Sequence, residues 1–448
     1  MSHHRKALKG VVIAAVAVLG TSLFTSCSST PSGNPSGGST TVQTLEFWDM
    51  AWGPTGTYDV EAQKLVDAFN AQNPDIHVNY TMKTWDNWYQ TFEQAVGANA
   101  APDVSTGGGF QPFGLEADAN AIMPLNDLVA KWQSDGTAAD FPNGILDYYK
   151  DSNGDYLGIP WAKDIRVFYY NKTLLQQAGI AEPPATWADF ATDCKIVRDS
   201  IGGDTYGYAG GGTPHLTFMA GVGFGAGMFD ANGNAQISTN PKELAALQWI
   251  ASMGQGGSGC INPSATTYQH TDAQALYNQG KAAFIFDSPS FASNLTDPVL
   301  SETAILPPMA NADGQKIGLY FTNGIMAYKQ AEQRGHKEAA EKFIEYWSSV
   351  GGDLFKAGAG GVSPRTSIAN DPAFASIPFY IDATKAYDAP VGVPLYAEAS
   401  HGFAALNTID GDTTMLDLER ALYAGTPDVQ TAANTAQQKV QGFIDSGQ

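Results

Sequence analysis

From Leu157 to Lys172 the chain reads LGIPWAKDIRVFYYNK, an apolar, aromatic run interrupted by Trp161, Lys163, Asp164 and Arg166. Burying an unpaired charge is costly, so a strand that carries an acid, two bases and an indole is not simple core. It either crosses between two bodies or lines a wet cleft, and both are expected here. Two further carboxylates, Asp49 and Asp287, and two further tryptophans, Trp52 and Trp85, stand where strands give way to loops. Aromatic faces cover the C–H patches of a sugar ring, while Asp, Asn and Arg bond its hydroxyls, the chemistry of a carbohydrate pocket. Trp52, Trp85 and Trp161 are assigned to such a pocket. Trp88, Trp187, Trp249 and Trp347 recur at helical core spacing and are assigned to packing. His215 and His401 are expected to be structural.

Paired carboxylates across a site would also suit glycoside hydrolysis, and Asp49, Asp164 and Asp287 leave that chemistry open. Other reaction signatures are missing from the sequence: no HExxH, no Walker loop, no cysteine–histidine zinc spacing and no GxSxG elbow. Asp151-x-Asn153-x-Asp155 hints at a calcium loop, but Tyr156 stands where glycine is needed and Ala162 where glutamate is needed. Turn chemistry accounts for it, as it does for Asp230-x-Asn232-x-Asn234. No metal and no cofactor are expected.

The elements that must position these residues follow from periodicity. Leu45 and Phe47 alternate in a strand, Ala62, Leu65, Val66 and Phe69 share one helix face, and Ile76, Val78 and Tyr80 alternate again. A helix from about 86 to 99 and a short strand at Pro102–Val104 complete a strand–helix–strand–helix–strand series, which means a parallel sheet with crossover helices. Ligands gather at the carboxyl ends of such strands, where Trp48, Asp49, Trp52, Trp85, Phe110 and Gln111 stand. Further on, Thr186 and Asp189 form a partial capping box, Pro241 opens a helix, and Ala282–Phe286 is a buried strand. Ile317–Tyr320 and Ile325–Tyr328 read as two apolar runs around Phe321-Thr322-Asn323-Gly324. The last third reads as helical, without a strand.

At 448 residues the chain exceeds what one core usually serves, so two lobes are expected. Its 45 acids against 24 bases give a net charge of −21, which repels phosphate backbones and argues against nucleic acid as a partner. Residues 1–26 hold a basic start and an apolar run, Val11–Leu19, too short to span a membrane comfortably; they read as an export signal. Phe24-Thr25-Ser26-Cys27 resembles a bacterial lipoprotein processing site, with Cys27 the lipid-modified residue. Residues 27–43, rich in Ser, Gly and Pro, read as a flexible tether. The protein is thus expected on the outer face of the cell membrane, held by a lipid anchor. Cys194 and Cys260 remain, either as a disulfide or as buried free thiols.

An ordered series of segments then narrows the family. LEFWDM, KLVDAFNAQNPDIHV, APDVSTGG, MPLNDL, YLGIPWAKDIRVFYYNKTLLQQAGI, PPATWADF, NQGKAAFIF, FTNGIMAYK and AAEKFIEYWSS resemble the family 1 extracellular solute-binding proteins of ABC importers, the maltose-binding-protein-like group. The resemblance implies an α/β, two-lobe periplasmic-binding-protein-like fold of type II with hinge crossovers. These fall near Asp164–Arg166, Phe321–Asn323 and Gly360–Arg365. Residues 44–164 and 323–362 would form one lobe, 165–322 and 363–448 the other. It also implies a monomer that is not an enzyme, binds an oligosaccharide between its lobes and delivers it to transmembrane permease subunits. Ligand positions carried over are Asp49, Trp52, Gly53, Trp85, Phe110, Gln111, Trp161, Asp164, Arg166, Asp287, Ser288, Phe291, Asn323, Arg365 and Tyr396. A stacking tryptophan of the group falls near Ser290, with Phe291 as its expected substitute. A glycosidase and a binder of a non-sugar solute, such as a polyamine or peptide, are the alternatives.

Overall fold

The computed structural model describes residues 42–85, 88–142, 144–388, 391–396, 399 and 401–447. The export signal, Cys27 and the tether up to residue 41 lie outside them. Two sheets organise the described chain. The first is built from β1 (Gln43–Met50), β2 (Ile76–Lys83), β3 (Val104–Gly107), β4 (Ile122–Met123) and β5 (Ile159–Ile165), together with two later strands. The second holds β6 (Val167–Asn171), β7 (Tyr206–Ala209), β8 (Ala282–Asp287) and β9 (Thr303–Ile305) in the order β7-β8-β6-β9. The later strands of the first sheet are β10 (Ile317–Tyr328) and β11 (Val391–Val393).

β1 lies between β2 and β3, parallel to both, so the alternating residues Leu45 and Phe47 are buried under crossover helices. The helix Lys337–Val350 seals that face: Phe343 and Trp347 each meet the Phe47 ring edge-on at 4.8 Å. In the second sheet Phe168 and Phe284 pack against Phe190 of the helix Trp187–Ile201. Thr186 and Asp189 cap that helix reciprocally, so aspartate does serve in the box at that position. Cys194 on the same helix is disulfide-bonded to Cys260.

The charged stretch divides as its chemistry requires. β5 belongs to the first sheet and β6 to the second, with Arg166 alone between them. β10 is one continuous strand, where the sequence shows two apolar runs. Its polar middle pairs antiparallel with β5, setting Phe321 opposite Asp164 and Asn323 opposite Ala162. A third segment joins them, because Lys163 and Val362 exchange backbone hydrogen bonds of 2.8 Å in both directions. β11, three residues parallel to the start of β10, corrects the reading of the last third as strandless. β4, β7 and β9 also escaped the sequence reading; each has only two to four residues, too few for a period to emerge.

Candidate functional site

A cavity of about 420 Å³ opens where the carboxyl ends of both sheets meet the β5–β6 junction. Its aromatic side comes from consecutive segments of the first sheet. Trp52 follows β1, Trp85 follows β2, and Trp88 begins the next helix; the rings stand edge to face, Trp52 to Trp85 at 4.8 Å and Trp85 to Trp88 at 5.7 Å. Gly108 and Gly109 after β3 and Phe321 on β10 extend this side. The polar side comes from Asp164 and Arg166, from Ser288 and Ser290 after β8, from Asn323, and from His215 and Asp410.

The aromatic side is held from behind. Trp52 donates its indole N–H to the Thr106 hydroxyl at 2.9 Å, which also accepts from the Met50 backbone N–H at 2.9 Å. Thr106 gives its own proton to Asp49 at 2.5 Å, and Asp49 accepts a further bond from Tyr58 at 2.8 Å. Asp49 is fully buried, and burial pushes its carboxyl up to about 7 against these hydrogen bonds. Trp85 donates to the carbonyl of Ala51 at 2.9 Å, and Trp161 packs behind Trp52 at 5.0 Å.

On the polar side Arg166 donates to Asp164 at 2.7 Å and reaches within 4.0 Å of Asp287. Asp287 is buried and also bound by His270 at 3.0 Å and Gln274 at 2.9 Å. Burial alone would raise its carboxyl; His270 and Arg166 outweigh that and hold it below its ordinary value. Burial raises Asp164, with Arg166 pulling the other way. Asp410 is pushed up to about 6 by burial, again against Arg166. His215 is held well below its ordinary value by burial, with Arg166 and His270 adding to it, so its imidazole is neutral. The Thr213 hydroxyl lies 2.6 Å from its Nδ1.

Of the positions expected to face ligand, Trp52, Trp85, Asp164, Arg166, Ser288 and Asn323 line the cavity. The others do not. Asp49, Trp161 and Asp287 stand one layer back, supporting Trp52 and Arg166 as described. Gly53 is a close-approach position, where a Cβ would come within 2.9 Å of the Gly358 carbonyl. Phe110 and Tyr396 belong to a buried aromatic group with Tyr148, whose carbonyl accepts from the Tyr396 hydroxyl at 2.5 Å. Gln111 is buried and turned to Tyr328. Phe291 points inward to Tyr169 and Tyr277, leaving Ser290 at the expected stacking position. Arg365 binds Asp140 at 2.7 Å, away from the cavity.

Trp88, His215, Phe321 and Asp410 were missed. Trp88 opens a helix and its spacing reads as packing, but the first turn of that helix projects it beside Trp85. Asp410 sits near the end of the helix Ala405–Gly411, and no local pattern connects it to residues more than two hundred positions earlier. The two calcium-like repeats are turns: Asp151 accepts from the Asn153 and Asp155 backbone, and Asp230 from that of Asn232 and Asn234. Among the described residues no group of three or more His, Cys, Asp or Glu side chains could hold a metal ion.

A mixed α/β body with two sheets joined by short crossovers, and a lined cavity at the joint, defines the class of hinged solute-binding proteins. Residues 53–354 match the family model described as bacterial extracellular solute-binding protein, and the chain belongs to that family. A sugar transporter from Arthrobacter chlorophenolicus A6, solved with bound laminaribiose, superposes with a TM-score of 0.75. It is 26% identical, and the alignment covers 89% of this chain and 99% of that one. A protein of Brucella abortus (strain 2308) named as a binding protein is 27% identical over 65% of this chain and 68% of its own length. The sn-glycerol-3-phosphate-binding periplasmic protein UgpB of Escherichia coli (strain K12) is 30% identical over 39% of this chain and 40% of its own.

Proposed function

We propose that this protein binds an oligosaccharide in the cavity between its sheets and hands it to the transmembrane subunits of an ABC importer. The observation that carries the reading is the pairing of the edge-to-face set Trp52, Trp85 and Trp88 with Asp164, Arg166, Asn323 and the serines opposite. Rings stack on sugar faces and the polar side bonds hydroxyls, so a saccharide engages both sheets only when they close on it. The lobes that close are residues 44–164 with 323–362, and 165–322 with 363–448, hinging at the β5–β6 junction. A lipid on Cys27 anchors a monomer at the outer face of the cell membrane, with residues 27–43 as tether. The reading includes no catalytic step: Asp287 is enclosed by His270, Gln274 and Arg166, and Asp49 by Thr106 and Tyr58. The laminaribiose-bound relative supports the ligand class.

A second reading, a glycerol phosphate, is favoured by the likeness to UgpB and by the presence of Arg166. Isothermal titration with laminaribiose, maltose and sn-glycerol 3-phosphate decides between them, with the saccharides expected to bind. Heat only with the phosphate would reverse the assignment. New reducing ends after incubation with the saccharides would make the protein a hydrolase instead.

A further inference from the structure

The charge and hydrogen-bond state of the cavity go further than its aromatic lining. Among the described residues that line it, Arg166 is the only cation at neutral pH, because His215 is neutral. That guanidinium is already bonded to Asp164 and lies against Asp287. Among the described residues Asp164 accepts only at Oδ2, so none of them donates to Oδ1. Asp410 lines the same cavity and accepts no hydrogen bond from any described residue, although Arg166 and Asp164 both act on its charge. A half-buried carboxylate without a donor lacks the partners such groups normally have. The described lining therefore holds unmet acceptor capacity on two elements far apart in the chain.

We infer that Asp410 and the free oxygen of Asp164 form a donor-selecting pair, which takes two hydroxyls of an uncharged saccharide and turns away phosphorylated ligands. The inference rests on the saccharide reading and sharpens it. A sugar hydroxyl supplies the missing proton to either oxygen, and such charge-assisted bonds are stronger than neutral ones. A phosphate dianion offers only acceptors. It would bring a further negative charge toward Asp164, Asp410 and Asp287, with Arg166 already engaged, so discrimination comes from repulsion and, at the phosphate end of the ligand, from missing donors.

The test is a titration of wild-type protein and of Asp410→Asn with laminaribiose, maltose and sn-glycerol 3-phosphate at pH 7.5, each variant's thermal midpoint being measured alongside. The wild type should bind a saccharide and give no heat with the phosphate. Asp410→Asn, which keeps the shape but loses the charge and turns one acceptor oxygen into a donor, should bind that saccharide about tenfold more weakly at an unchanged midpoint. Asp410→Ala, run in parallel, should lose at least as much. Unchanged affinity in both variants overturns the role of Asp410 while leaving the saccharide reading in place. Wild-type binding of sn-glycerol 3-phosphate as tight as that of the saccharide overturns the discrimination. Absence of any saccharide binding overturns the reading on which the inference rests.

Discussion

Trp52 shows how much of this site is support rather than contact. Its indole is fixed by a single hydroxyl, Thr106, whose proton is committed to Asp49 and whose lone pairs are taken by Trp52 and Met50. Thr106→Val keeps the shape of the side chain but removes that bond. It should weaken saccharide binding several-fold, and Thr106→Ser should restore it; equal affinity in all three proteins by calorimetry would remove Thr106 from the site. Trp85 is 38% exposed, so Trp85→Ala should cost binding about tenfold while barely moving the unfolding midpoint. At this scale the sequence was partly legible. Trp52, Trp85, Asp164 and Arg166 stood out because a tryptophan in a loop and a charge in a strand both violate the packing expected of them. Asp49 and Asp287 carried the same signal but serve one layer back, since residue type cannot separate a carboxylate that meets ligand from one that braces its neighbour. Asp410 broke no local rule, and only the folded chain connects it to Arg166.

The elements were easier to read than their joints. β1, β2 and their crossover helices follow directly from alternation and from the spacing of Ala62, Leu65, Val66 and Phe69. The polar middle of β10 hid a continuous strand, because Thr322 and Asn323 lie against β5 rather than facing an apolar core. The joint also depends on backbone that only glycine accepts. Gly361 has φ +90°, and a Cβ there would lie 2.5 Å from the Lys163 carbonyl, inside the pairing of Lys163 with Val362. Gly361→Ala should destabilise the protein by roughly 2 kcal/mol or more in urea unfolding. A loss below about 0.5 kcal/mol would show that this third crossover is slack rather than fitted. Beside the second sheet, Cys194 on the helix Trp187–Ile201 and Cys260 close a loop with a sequence separation of 66 residues. Replacing both with serine should cost roughly 4 kcal/mol by chain entropy, readable as a lower urea midpoint. The sequence leaves disulfide and free thiols equally open, since connectivity is a property of distance.

For the molecule as a whole, charge sets the pH response. Burial holds Asp410 at about 6, Asp49 at about 7 and Glu419 at about 8, all above their unfolded values. Between about pH 4 and 8 the folded state therefore binds more protons than the unfolded one, and stability falls as pH rises through that window. A net charge of −21 adds self-repulsion in the same direction. Two groups work the other way: His215, kept neutral by burial, costs stability as pH falls below its ordinary range, and Asp287, held low, loses its contribution only below the ordinary carboxylate range; the three raised carboxyls outweigh them. The unfolding midpoint should thus be higher at pH 5.5 than at pH 8, and Asp49→Asn should flatten the slope; a midpoint that rises toward pH 8 would contradict this account. If the cavity between the two sheets is the ligand site and the β5–β6 junction serves it, Asp164 is the side chain whose loss should be felt first. Titration of laminaribiose and maltose into wild-type protein and into Asp164→Ala tests it most directly. A saccharide should bind the wild type, and binding should be lost or weakened at least tenfold in the variant, with the fold intact by circular dichroism. Equal affinity in the two proteins would place the ligand elsewhere.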